Sequence, residues 1–123
     1  MSVLDFVNLY VADAEKSAGL YTQLLGTKPV SASPDFAMYV LPNGLKFGLW
    51  ARGDVQPPVT GTGGGEICFS VTGDAEVTPS LETWKNLGLR IIQQPTKMDF
   101  GLTFTAEDPD GNRLRLFAPA RRG

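Results

Sequence analysis

Asp108-Pro109-Asp110-Gly111-Asn112-Arg113-Leu114-Arg115-Leu116-Phe117 reads as a tight turn running into a strand. Proline presets φ for the first bend, and glycine takes the positive φ that other residues resist. Beyond the turn the side chains alternate. Leu114 and Leu116 point to one face, and Arg113, Arg115 and Phe117 to the other. A weaker copy lies 67 positions earlier, in Pro42-Asn43-Gly44-Leu45-Lys46-Phe47-Gly48-Leu49-Trp50. The upstream halves match as well. Phe6-Val7-Asn8-Leu9-Tyr10-Val11 aligns with Glu66-Ile67-Cys68-Phe69-Ser70-Val71 at an offset of 60, apolar at alternate positions and closing on Val. The chain reads as two copies of one unit.

Each copy predicts strand, helix, strand, strand, strand. In the first, Val3 to Val11 alternates as a strand and Asp13 caps a helix with half a capping box, since Lys16 stands where Glu would complete it. Leu20, Leu24 and Tyr21, Leu25 keep helical spacing up to Gly26. Thr27 to Ala32 and Phe36 to Leu41 follow as strands, and Asn43-Gly44 signals a hairpin into Leu45 to Trp50. In the second, Glu66 to Val71 is a strand, and Asp74 to Leu87 a helix with Val77, Leu81, Trp84 and Leu87 on its buried face. Pro79 requires either a shorter helix capped by Thr78 or a distorted first turn. Leu89 to Gln93, Phe100 to Ala106 and the hairpin strand complete the unit, with Ala118 to Gly123 expected to fray. The organisation is thus one domain, 1–123, with a first module over 1–51, a mobile, exposed Gly/Pro-rich linker over 52–65 and a second module over 66–123. The Arg-Gly-Asp triplet at 52–54 is read as chance.

At 123 residues, 42% hydrophobic and 20% charged, the composition is that of a soluble globular protein. A net charge of −2 without a basic cluster argues against a nucleic-acid partner. No apolar run reaches the roughly 20 residues that span a bilayer, so no membrane is expected. The first residues do not resemble a secretory signal, and one cysteine, Cys68, cannot form an internal disulfide. Together these suit the cytoplasm. The most restrictive count is zero histidines. It removes the commonest general base and the commonest transition-metal ligand, and with them serine triads and zinc hydrolases as usually built.

Tyr10-Val11-x-Asp13-x-x-x-Ser17-x-x-x-Tyr21-x-x-x-Leu25-Gly26 resembles the opening signature of the vicinal oxygen chelate superfamily, and Asp108-Pro109-Asp110-Gly111-Asn112 its closing one. That superfamily includes glyoxalase I, the extradiol dioxygenases and the bleomycin-resistance proteins. The resemblance implies an α+β fold of tandem βαβββ modules, a curled eight-stranded mixed sheet around a cleft, usually in a homodimer. It further implies four metal-ligand positions, which fall on Phe6, Gly48, Glu66 and Arg115. Phe6 and Glu66 stand where the pattern often has His, Gly48 and Arg115 where it often has Glu. A guanidinium has no lone pair to offer and repels a cation. No metal, no cofactor and no catalytic residue are therefore expected.

Without a metal, the branch most resembled is the antibiotic-binding one, which sequesters a drug. Phe47-Gly48-Leu49-Trp50 is similar to the segment bearing a ligand-stacking tryptophan in phenazine-resistance proteins. By alternation Phe6, Asn8, Tyr10, Gly48 and Trp50 face the cleft, as do Glu66, Cys68, Ser70, Arg115 and Phe117. The expectation is a protein that binds a planar aromatic antibiotic, phenazine-like or bleomycin-like. Trp50 would stack, Gly48 would leave room beside it, and Arg115 would offer its fork to a ligand carboxylate. The alternatives are packing for Trp50, a Glu66–Arg115 ion pair, an inert Cys68, and a bulge at Gly48. A divalent-metal-dependent glyoxalase-like lyase or isomerase built on Glu66 is the competing function, and a subunit module without ligand the third.

Overall fold

The computed structural model describes residues 4–56, 58 and 66–120. Its contacts divide the chain into two compact units, residues 1–61 and 62–123. The first contains β1 (Phe6–Val11), α1 (Ala14–Leu25), β2 (Ser31–Ala32), β3 (Phe36–Val40) and β4 (Lys46–Ala51). The second contains β5 (Glu66–Ser70), α2 (Val77–Asn86), β6 (Arg90–Met98), β7 (Gly101–Glu107) and β8 (Arg113–Pro119). The α+β class and the tandem βαβββ order are as expected. The eight strands are hydrogen-bonded as two mixed sheets of four, in the orders β1-β4-β3-β2 and β5-β8-β7-β6. In each, the first strand of the unit lies parallel to the last. No helix among the described residues is long and apolar enough to cross a membrane.

The repeat extends to individual hydrogen bonds. The Leu41 N–H donates to the Leu45 carbonyl at 2.9 Å and the Gly44 N–H to the Leu41 carbonyl at 2.8 Å. At the positions 67 residues later, Asp108 N–H donates to Asn112 O at 2.9 Å and Gly111 N–H to Asp108 O at 3.0 Å. Gly44 and Gly111 take φ of 88° and 84°, while no described non-glycine residue has positive φ. The hairpin signalled by Asn43-Gly44 therefore forms, as β3 against β4, through a turn other than type I′, which needs Asn43 at positive φ as well. Asp108, 5% exposed, ties the second turn together. Its carboxylate accepts from Asp110 N–H, Asn112 N–H and the Asn112 side-chain amide at 2.8–3.0 Å.

Helix α1 begins where Asp13 accepts from Lys16 N–H at 3.1 Å and ends at Gly26, with φ of 67°. Its buried face is Ala14, Ala18 and Tyr21. The leucines singled out by periodicity are only half-buried, because small alanines bring the helix down onto the sheet and leave bulkier side chains at the flanks. Tyr21, Phe47 and Tyr39 form the aromatic centre beneath it, with centroids 5.4 and 6.0 Å apart. The Tyr39 hydroxyl donates to the Ala18 carbonyl at 3.0 Å, so Thr22 Oγ1, 2.9 Å away, donates to Tyr39.

In the second unit a 3-10 turn over Asp74–Glu76 precedes α2, resolving the Pro79 problem. Pro79 is the third helical residue, where the missing N–H has no intrahelical acceptor to lose. At the other end Gly88 has φ of 91°, and the N–H groups of Gly88 and Leu89 return to the Lys85 and Trp84 carbonyls at 3.0 and 3.2 Å. Trp84 is 6% exposed and wedged edge-to-face between Phe69 and Phe104, at 5.4 and 5.1 Å.

Several predicted boundaries move. Strand β2 shrinks to two residues. Strand β6 instead runs on through Pro95 to Met98, with register shifts between Ile91 and Thr96. A proline is tolerated there because β6 is an edge strand and needs no donor on its free side. The segment expected to fray begins inside β8, where Ala118 is fully buried and Ala120 N–H donates to Phe100 O at 2.8 Å. Of the predicted linker, Arg52–Asp54 form a 3-10 turn and Val55 is 4% exposed, so its start is packed rather than loose. Val3, residues 57 and 59–65, and residues 121–123 lie outside the described residues.

Trp84→Ala is expected to cost about 3–5 kcal/mol, the range for emptying an aromatic site in a close-packed core. Urea denaturation checks it, as a lower midpoint at unchanged slope.

Candidate functional site

One helix covers one face of each sheet, and the residues singled out from sequence occupy the other. In the first unit that face is a grid of three strands. Phe36, Trp50 and Tyr10 share one row, Met38, Gly48 and Asn8 the next, and Val40, Lys46 and Phe6 the third. Phe6, Phe36 and Trp50 are half-buried, and Tyr10 is 37% exposed. The Phe36 centroid lies 6.3 Å from that of Phe6 and 6.2 Å from that of Trp50, the latter pair edge-to-face at 82°. Lys46, the cation of the grid, is paired with Asp5 at 2.9 Å.

Gly48 sits at the centre of this grid. A Cβ there would collide with Asn8 Oδ1 and lie 2.9 Å from two carbons of the Phe36 ring. The room expected beside Trp50 is thus already taken, by Phe36 and Asn8. Sequence reasoning missed Phe36. The signal was its alternation with Met38 and Val40, opposite the buried Ala37 and Tyr39.

The corresponding face of the second unit is polar. Arg115 Nε donates to Glu66 Oε2 at 2.7 Å and its Nη2 to Oε1 at 3.4 Å. Nη1 donates to Gln93 Oε1 at 3.1 Å and to Thr103 Oγ1 at 3.2 Å. Thr103 and Thr105, 0% and 2% exposed, pass their own protons to the Leu116 carbonyl and to Gln93. The guanidinium carbon stands 5.7 Å from the centre of the Phe100 ring, which meets Phe117 edge-on at 5.9 Å. The fork expected to meet a ligand carboxylate is closed on Glu66. Gln93, Thr103 and Phe100 are the partners sequence reasoning left out.

The two faces are quasi-equivalent. Gly48 pairs with Asn8 across the parallel ladder as Arg115 pairs with Cys68. Phe36 stands opposite Trp50 as Thr103 stands opposite Phe117. The residue on the neighbouring antiparallel strand reaches the central position in both units, as a ring over glycine in one and as a hydroxyl under a guanidinium in the other.

Electrostatics follow from these contacts. Hydrogen bonding from Arg115 holds the Glu66 carboxyl below its ordinary value, with the Cys68 thiol adding to the effect. Burial and the adjacent Glu66 carboxylate push the Cys68 thiol up, which disfavours the thiolate needed for nucleophilic chemistry. Its Sγ lies 3.4 Å from Glu66 Oε2. Ser70 is exposed on the same strand.

Comparison with known proteins agrees with this architecture. The profile of the Glyoxalase/Bleomycin resistance protein/Dioxygenase superfamily matches residues 3–116, and the chain belongs to that superfamily. The phenazine antibiotic resistance protein EhpR of Enterobacter agglomerans is 25% identical over 111 residues, covering 88% of this chain and 85% of its own. A trivalent organoarsenical cleaving enzyme from Bacillus sp. (strain MD1) is 31% identical over 116 residues, covering 90% of this chain and 70% of its own. A solution NMR structure of an Agrobacterium tumefaciens protein is 48% identical, with a TM-score of 0.91 over 98% of this chain and 100% of that one.

The residues at the superfamily's metal-ligand positions do not fit a metal. Phe6 and Gly48 carry no donor atom, Arg115 is a cation, and the Glu66 carboxylate is engaged by it. Among the described residues no group of three or more His, Cys, Asp or Glu could hold an ion.

Removing the Glu66 charge tests the polar face. Glu66→Gln is expected to cost about 1–2 kcal/mol at neutral pH, a charge-assisted bond discounted for its partial exposure. Because the folded-state pKa is lowered, the stabilisation is present above the ordinary value of 4.5 and is lost as pH falls through the folded value. Thermal melts of parent and variant should differ at pH 7 and converge in acid.

Proposed function

We propose that the chain is a non-catalytic binding protein that sequesters a planar aromatic small molecule, of the kind an antibiotic presents, and so confers resistance to it. The observation that carries the reading is the Phe6–Phe36–Trp50 surface, a half-buried aromatic face whose three rings lie in contact. Flat ligands gain both buried area and ring contacts on such a surface. The similarity to a phenazine resistance protein supports the same class of ligand. The competing metal-dependent lyase or isomerase finds no support in the residues at the ligand positions. An arsenical reading fares no better. Trivalent arsenic seeks thiolates, and the chain has one cysteine, whose thiolate is disfavoured by burial and the neighbouring Glu66 carboxylate.

Titrating the protein with a panel of phenazines and related tricyclics tests the proposal. Trp50 emission should be quenched saturably, and Trp50→Phe should remove most of that signal, because Trp84 is buried in the core. No quenching at up to about millimolar ligand, a weak-binding limit near 4 kcal/mol, would sink the sequestration reading.

A homodimer belongs to the same proposal. Leu4, Val30 and Val40 are 81%, 61% and 44% exposed, and β1 and β2 are edges of their sheet. A second copy would cover such edges and apolar side chains. Sedimentation is expected to give twice the 13.3 kDa chain mass. A stable monomer at micromolar concentration would count against it.

A further inference from the structure

We infer that Phe36 is the positioning residue of the aromatic face and that Gly48 is glycine in order to seat it. The inference rests on the binding reading above and deepens it. Two carbons of the Phe36 ring stand 2.9 Å from where a Gly48 Cβ would be, closer than real Cβ contacts allow. From that seat the ring touches both neighbours, Phe6 at 6.3 Å and the Trp50 edge-to-face contact at 6.2 Å and 82°. The Asn8 carbonyl also lies over Gly48, but it ends an exposed, flexible side chain that can rotate away. The Phe36 ring has no comparable freedom between its two aromatic neighbours. Any side chain at 48 therefore displaces Phe36 as well as the Asn8 amide, and Trp50 loses the ring that fixes its plane. A planar ligand stacked on Trp50 would then meet a mobile surface and lose the ordering already made in the free protein.

The inference separates Gly48 from the two readings available in the sequence. Gly48 neither leaves a slot for ligand nor marks a bulge, since β4 pairs in unbroken register with β1 and β3 on both sides. Its missing side chain is used inside the protein.

Acrylamide quenching of the native chain tests the seat without any ligand, because the accessible emission comes from Trp50 while Trp84 is 6% exposed. Gly48→Ala and Phe36→Leu should each raise the quenching of Trp50, and the double variant should quench no more than either alone, since both break one contact. Phe36→Tyr, which keeps the ring, should behave as the parent. Phenazine affinity should fall up to about tenfold in the first two variants, the upper end of what one ring contact contributes. Phe36→Leu and Phe36→Tyr keep the test decisive should Gly48→Ala fold poorly. Unchanged Trp50 quenching in Gly48→Ala, or equal quenching in Phe36→Leu and Phe36→Tyr, would overturn the seat. If the parent binds no phenazine but the quenching pattern holds, the binding reading fails and the seat stands.

Discussion

A four-stranded sheet with one helix has one face left over. In both units the apolar half of each strand is spent under the helix, against Tyr21 in the first and Trp84 in the second. The alternation that makes this possible sends the remaining side chains to the other face. That face cannot be left as bare backbone, so its residues must satisfy one another or meet something else. The first unit fills it with rings and the second with a hydrogen-bonded ion pair. Nearly every feature of possible functional interest in the chain follows from how these two surplus faces are furnished.

The contrast turns on one pair of equivalent positions. Gly48 offers nothing, so the diagonal Phe36 lies down on it and the face becomes flat and apolar. Arg115 offers a long cationic fork, so Glu66, Gln93 and Thr103 gather around it and the face becomes polar. Guanidinium on a partly buried sheet is tolerable only with such partners, since an unpaired charge there costs several kcal/mol. No described buried side-chain nitrogen or oxygen lacks a hydrogen-bond partner. The polar face is thus a closed network, and the flat apolar surface suited to a planar ligand is the one in the first unit.

Local rules made much of this legible. Turn chemistry at Pro42 and Pro109, the Asp13 cap and alternation in β1, β4, β5 and β8 gave the repeat and its element order, the family resemblance gave the fold, and alternation assigned Phe6, Gly48, Trp50, Glu66 and Arg115 to the surplus faces. What escaped were properties that only pairing decides. Strand β6 continues through Pro95 because the strand is an edge, a fact about topology that a proline in sequence does not carry. The helix α2 begins on a 3-10 turn because Glu76 holds the Thr72 and Gly73 amides at 2.8 and 3.0 Å, a contact no propensity scale encodes. Phe36 escaped because its importance lies in a diagonal contact with Gly48 two positions out of register, and a missing side chain gives no sign of what fills its place.

The same contacts explain why neither unit is one substitution away from the metal chemistry found elsewhere on this fold. In the second unit, exchanging Arg115 for an acid would supply a donor but place two carboxylates together without the cation that now compensates Glu66, and would take from Gln93 and Thr103 the donor they share. In the first unit, a glutamate at 48 would have to evict Phe36 before its carboxylate could point anywhere, and Phe6 would still offer no lone pair. Each face is therefore held in its present character by neighbours as much as by the residue at its centre.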